Sequence, residues 1–185
     1  MGMAATSTDW TAEMVRALPE DGCKHEVIDG VLFLTPAPAW RHQRAVQQLS
    51  FALNLWLRQT RAAEVFGAPP DVEFSPRRMV IPDVLVVMRP ERTPQRVSPS
   101  VVWLVVEVLS PGTARLDRQL KRQLYTSEGV PEYWIVDLDA RLIERWRPGD
   151  ERPELLAAEI RFRPREQFPE FVLDLDAFFE EVWDG

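Results

Sequence analysis

One cysteine, Cys23, is all the chain holds across 185 residues, which excludes an intrachain disulfide framework and a cysteine-based zinc site. No apolar run approaches the roughly 18 residues that a membrane span needs. The stretch from Met1 to Asp9 has neither the basic nor the apolar region of a signal peptide. A soluble, cytoplasmic chain is therefore expected. A surplus of positive charge is missing too, since 22 Lys and Arg stand against 29 Asp and Glu for a formal net charge of −7. That weighs against a tight, nonspecific polyanion binder, whose affinity rests mostly on excess cations. It leaves room for carboxylates that bind divalent ions, because a bound ion offsets their charge. Lysine is scarce, with only two among the 22 basic side chains. One of them, Lys121, sits in Asp117-x-x-x-Lys121-x-x-x-Tyr125, and lysine offers a compact, protonatable ammonium that arginine does not.

What is present suits a single mixed α/β domain over residues 1–185, because 45% hydrophobic residues and seven Trp supply a core and neither a repeat nor a long linker divides the chain. Thr11 to Leu18 reads as a short helix closed by Pro19-Glu20-Asp21-Gly22. Asp29-Gly30 between His25–Ile28 and Val31–Leu34 predicts an N-terminal β-hairpin with a type I′ turn. From Trp40 to about Arg61 the period is helical, with Val46, Leu49, Leu53, Trp56 and Leu57 on one face and His42 projecting onto it. Short strands are expected at Val65–Ala68, Val72–Phe74, Met79–Ile81 and Val84–Val87. The run Val101–Leu109 reads as a strand buried on both faces. Ser110-Pro111-Gly112-Thr113 turns the chain into a helix from Ala114 to about Glu128, followed by a strand at Tyr133–Asp137 that a crossover makes parallel to the previous one. Leu142–Trp146 and Leu155–Phe162 read as antiparallel strands, and a helix spans about Leu175 to Val182.

Two carboxylates interrupt apolar strands. Asp83 follows Pro82 at the head of Val84–Val87, and Glu107 lies within Val105–Leu109. Ionised carboxylates in such surroundings are costly unless paired, hydrogen-bonded or bound to metal. Magnesium answers that need, since it is a hard ion held by one or two carboxylates plus waters and phosphate oxygens. Glu107 lies roughly 7 Å before the strand end at ~3.3 Å per residue, and Lys121 lies roughly 12 Å beyond Thr113 at ~1.5 Å per residue. A helix folding back over the strand would bring the two level. On the helical wheel Leu116, Leu120 and Leu124 form the buried stripe, and Asp117, Lys121, Tyr125 and Glu128 lie along its edge. Two readings of Asp117 and Lys121 stand, an exposed i,i+4 ion pair or a reach into a site. Arg115, Arg118 and Arg122 beside them read as a solvated face. His42 is either a packed histidine or a site-lining one.

Taken together, Pro82-Asp83, Val105-Val106-Glu107-Val108-Leu109-Ser110-Pro111, the Asp117/Lys121/Tyr125 spacing and Gly129-Val130-Pro131-Glu132-Tyr133-Trp134-Ile135-Val136-Asp137 resemble the Uma family of restriction endonuclease-like proteins, within the PD-(D/E)XK nuclease superfamily. Glu26-Val27-Ile28-Asp29-Gly30 and Arg41-His42 belong to the same pattern. The resemblance implies a restriction-endonuclease-like core, a mixed central sheet flanked by helices. It also implies a magnesium site, with manganese as substitute, at Asp83 and Glu107, assisted by the backbone carbonyl of Val108. Glu26 either completes that site or is a half-exposed hairpin glutamate. The superfamily pattern places a lysine two residues after the glutamate, where this chain has Leu109, and Lys121 is the candidate replacement. The implied activity is hydrolysis of nucleic-acid phosphodiester bonds, DNA above all, by a homodimer. His42, Tyr125, Asp117, Ser110 and Arg118 would contact substrate or support the catalytic groups. The alternatives are an inactive nuclease fold that binds or regulates and an unrelated metal-dependent hydrolase of small phosphoesters.

Overall fold

The computed structural model describes residues 3–4, 9–58, 62–67, 70–89 and 97–184. A two-residue strand β1 (Met3–Ala4) and helix α1 (Ala12–Arg16) come first. Thr11 caps α1, its hydroxyl accepting from the Met14 N–H at 3.2 Å, which satisfies one of the helix's otherwise unpaired donors. The hairpin follows as β2 (Lys24–Ile28) and β3 (Val31–Thr35). Asp29 and Gly30 both take positive φ, 53° and 81°, as a type I′ turn requires. Helix α2 (Trp40–Leu57) buries Val46, Leu49, Leu53, Trp56 and Leu57 along one face, the stripe its period predicts. The expected end of that helix, Arg61, lies outside the described residues.

Strands β4 (Ala63–Phe66), β5 (Val72–Ser75), β6 (Arg78–Val80) and β7 (Val84–Met88) come next; Ala68, the expected end of the first, is also outside the described residues. Strand β8 (Val102–Val108) is buried at every position. A π-helical stretch, Leu116–Lys121, runs into α3 (Arg122–Ser127), and β9 (Tyr133–Asp137) and β10 (Leu142–Trp146) follow. The chain continues through β11 (Glu154–Leu156), β12 (Glu159–Phe162), β13 (Phe171–Asp174) and α4 (Leu175–Asp184).

The central sheet has six strands in the order β11-β10-β9-β8-β7-β4. It is mixed: β8 and β9 run parallel while the neighbouring pairs are antiparallel. A second sheet, β1-β3-β2-β6-β5, carries the hairpin. Alternation along β7 and β8 sends Val84, Val86, Leu104 and Val106 into a core with α2, α4 and the β12–β13 ribbon. It sends Leu85, Val87, Val105 and, by the same period of two, Glu107 toward the opposite side, where Val72, Val80, Leu124 and Tyr125 pack. Layers on both faces explain why these strands are continuously apolar. Glu107 is consequently trapped between the central sheet, the second sheet and the helix after β8.

Two expectations are corrected. Leu155–Phe162 is not one strand; a bend at Ala157 and Ala158 divides it, so β11 pairs with β10 and β12 with the unforeseen β13. The inward face of the helix after β8 is also different. Leu120 is 40% exposed, whereas Asp117, Lys121, Leu124 and Tyr125 are buried. The Arg122 N–H donates to the Asp117 carbonyl, an i→i−5 bond, and such a turn carries more residues than an α-turn and rotates every later residue of the helix about its axis. The charged partners awaiting Asp117 and Lys121 inside the protein complete the reason.

Candidate active-site cleft

A cleft of about 660 Å³ is lined by Lys24, Glu26, His42, Asp83, Glu107 and Lys121, with Val108, Ser110, Thr113 and Asp117 also on its wall. Five segments deliver these groups. Strand β2 brings Lys24 and Glu26, which share a face because side chains alternate. The first turn of α2 brings His42, the chain entering β7 brings Asp83, and β8 brings Glu107. The π-helical stretch brings Asp117 and Lys121.

Lys121 is the hub. Its Nζ lies 2.9 Å from Glu107 Oε1, 2.9 Å from Glu26 Oε1 and 3.7 Å from Asp117 Oδ1. Its side chain is 3% exposed and that of Glu26 is 0% exposed. The exposed-pair reading of Asp117 and Lys121 and the half-exposed reading of Glu26 are both excluded. Glu26 Oε1 also accepts from the Ile81 N–H at 2.8 Å, while its Oε2 is buried without a hydrogen-bond partner. Tyr125 donates its hydroxyl to Glu107 Oε1 at 3.0 Å. Its ring is fixed against Tyr133, with centroids 4.8 Å apart.

Asp83 forms the other half of the cluster. Its Oδ1 takes the Lys24 ammonium at 2.7 Å. Its Oδ2 lies 3.0 Å from His42 Nε2 and accepts the Val108 N–H at 2.9 Å. His42 lines the cleft, and its partner there is the Asp83 carboxylate and not the backbone carbonyl that a merely packed histidine would use. Lys24 was not foreseen. Two signals pointed to it: it is the other of the chain's two lysines, and it stands two residues before Glu26 on the same strand face.

The electrostatics follow from burial and neighbours. Burial pushes the Glu107 carboxyl up to about 8, against the pull of Lys121 and with the help of Asp83 and Asp117. Burial raises Asp117 as well, with Lys121 opposing. Burial would push Asp83 up, but the His42 hydrogen bond and the nearby Lys24 hold it well below the ordinary carboxylate range. Burial alone would lower Lys121, yet Glu107, Glu26, Asp117 and Asp83 together raise it well above its usual value, so it stays an ammonium. Adjacent carboxyls thus hold opposite protonation tendencies, the condition under which one group gives or takes a proton beside a fixed anion.

Not every foreseen residue reaches the cleft. Arg118 turns to Asp137 and Glu144, with nitrogen–oxygen distances of 2.7 and 2.6 Å, because two carboxylates on β9 and β10 offer ion pairs on that side of the helix. Ser110 lines the cleft and its hydroxyl meets that of Thr113 at 3.0 Å, bracing the turn that launches the helix. The Val108 N–H is spent on Asp83. Among the described residues, no three His, Cys, Asp or Glu side chains stand together as a ready-made metal cage; ammonium groups lie between the carboxylates instead.

The architecture is a mixed sheet flanked by helices, with buried acidic groups and two lysines gathered in one cleft. A crystal structure of a putative nuclease belonging to DUF820, from Anabaena variabilis, shares that fold, at 19% identity over 93% of this chain and 98% of that one, with a TM-score of 0.74. The Uma2 family model, described as putative restriction endonuclease, matches residues 12–176, and the chain belongs to that family. No curated protein matches it.

Proposed function

We propose that this protein is a magnesium-dependent endonuclease that hydrolyses nucleic-acid phosphodiester bonds, DNA being the substrate and manganese an effective substitute ion. The family description and the nuclease fold support the reaction class. The observation that carries the reading is Lys121, a buried ammonium shared by Glu107 and Glu26 within the cleft and supplied by a helix, where the strand position two after Glu107 holds Leu109.

The donor set fits a hard divalent ion in kind. Asp83, Glu107 and Glu26 offer carboxylate oxygens, one of which, Glu26 Oε2, is buried and unpartnered, and the Val108 carbonyl would add a neutral oxygen. The chemistry supplied by a bound ion would be polarisation of the scissile phosphate and acidification of a water. Lys121 would orient that water or stabilise the charge that develops on phosphate oxygens. Tyr125 holds the Glu107 oxygen that Lys121 also touches, and His42 fixes the orientation of Asp83. Two-fold pairing of chains would give two equivalent sites for the two strands of a duplex.

A second reading has its own observation. The Lys24–Asp83 and Lys121–Glu107 pairs neutralise the acidic groups internally, as they would in a nuclease fold that binds nucleic acid without cutting it. Supercoiled plasmid incubated with Mg2+ or Mn2+ separates the two. Nicking is expected from the wild type and not from Asp83→Asn, Glu107→Gln or Lys121→Met. Binding of metal without cleavage supports the second reading, and absence of both metal binding and cleavage of DNA or RNA removes the endonuclease reading.

A further inference from the structure

The two lysines of the cluster differ in one respect that decides what each can do. The Lys121 side chain is 3% exposed, with carboxylate oxygens of Glu26, Glu107 and Asp117 around its ammonium. The Lys24 side chain is 26% exposed, lines the cleft and has one short ion pair, to Asp83 Oδ1 at 2.7 Å. Lys121 cannot leave without stripping buried charges of their partner. Lys24 can leave, because a flexible four-carbon stem in an open cleft lets its ammonium rehydrate.

The partners of Asp83 point the same way. Oδ2 is held by His42 and by the Val108 N–H, a backbone group that cannot move without disturbing β8. Oδ1 is held by Lys24. Of the two oxygens, Oδ1 is therefore the one whose partner can be exchanged.

We infer that Lys24 is an exchangeable internal cation, which occupies Asp83 Oδ1 in the metal-free protein, yields that oxygen to an incoming divalent cation, and then stands free in the cleft to meet an anionic phosphate. This rests on the metal-site reading above and assigns Lys24 a role separate from that of Lys121. Lys121 is the fixed cation of the cluster, and Lys24 sets how readily the site accepts metal. Release of Lys24 also couples the two binding events, because its ammonium becomes available to substrate only once Asp83 has another partner.

The chain's having two lysines makes the exchange directly visible. Reductive methylation with 13C-formaldehyde keeps the positive charge and labels the accessible Lys24 and the α-amino group. The expected result is a Lys24 methyl resonance that moves on Mg2+ addition, with the midpoint that calorimetry gives for Mg2+ binding to the same protein. Lys24→Met should bind Mn2+ at least about tenfold more tightly than the wild type, and Lys24→Arg, which keeps a cation at Asp83, should not. Phosphate capture is read with a DNA oligonucleotide in Ca2+, which Lys24→Met should bind more weakly despite its tighter metal. A wild-type protein that binds Mg2+ while the resonance stays still overturns the exchange and leaves the metal site standing, whether or not Lys24→Met folds. A wild-type protein that binds no Mg2+ by calorimetry overturns the metal-site reading itself, and the exchange with it.

Discussion

Lys121 Nζ lies 2.9 Å from Glu107 Oε1 across a separation of 14 residues, both side chains being buried. A strand, a four-residue turn and a helix that folds back over the strand achieve this contact. Its energetic character is that of a buried pair, where desolvation rivals the attraction and removal of one partner is the damaging event.

Lys121→Met is accordingly expected to destabilise the protein by about 3–5 kcal/mol, because it leaves the buried carboxyl groups of Glu26, Glu107 and Asp117 without their cation. Glu107→Gln in the same chain should return part of that loss, since the amide needs no counter-charge. Urea denaturation of the single and double variants measures the coupling. Equal stabilities for Lys121→Met and Lys121→Met/Glu107→Gln would show that the pair is not the unit described.

The raised carboxyl of Glu107 makes stability depend on pH with a definite sign. In the unfolded chain this group titrates near its ordinary 4.5, and in the folded protein near about 8. The folded state thus binds the extra proton between those values, so the contribution is complete below about 4.5 and is lost as pH rises through about 8. Asp83 has the opposite sense, its contribution falling away only as pH drops below the ordinary carboxylate value of 3.8. In metal-free protein, the stability of the wild type relative to Glu107→Gln should decline steadily from pH 5 to pH 8. A flat difference over that range would place the Glu107 proton elsewhere.

Leu109 offers a constructive test. It lies two residues beyond Glu107 and packs in the cluster of Val105 and Tyr125, so its side chain shares the Glu107 face. Leu109→Lys introduced into Lys121→Met should recover part of the plasmid-nicking activity, because it restores an ammonium beside the same carboxylate from the strand. No recovery, in a variant whose circular dichroism matches the wild type, would mean that the helix-borne position of the cation matters and not its charge alone.

How much of this was legible in the sequence differs element by element. The hairpin could be read because Asp29-Gly30 between apolar runs admits one tight turn, and β8 because its seven buried positions make an apolar run that Glu107 alone interrupts. Asp83 and Glu107 stood out as charges in strands, and Lys121 as a rare lysine at a reachable height. The β12–β13 ribbon was hidden because its strands are four residues each and gain their burial from α2 and α4, which no local pattern announces. The exposed Leu120 was misread because a π-turn changes the phase on which helical-wheel reasoning depends. Arg118 was misplaced because its partners, Asp137 and Glu144, lie 19 and 26 residues away.

By itself the sequence determined most of the elements, the chemistry available and the narrow set of carboxylates that must find partners, since these depend on residue type and on periods of 2 and 3.6 residues. Only the tertiary structure decided who those partners are. It set Lys24 on Asp83 across 59 residues and Lys121 between Glu26 and Glu107. The physical reason is that a buried ion's partner is chosen by which groups the layers enclose together, and that enclosure is a property of packing, not of spacing along the chain.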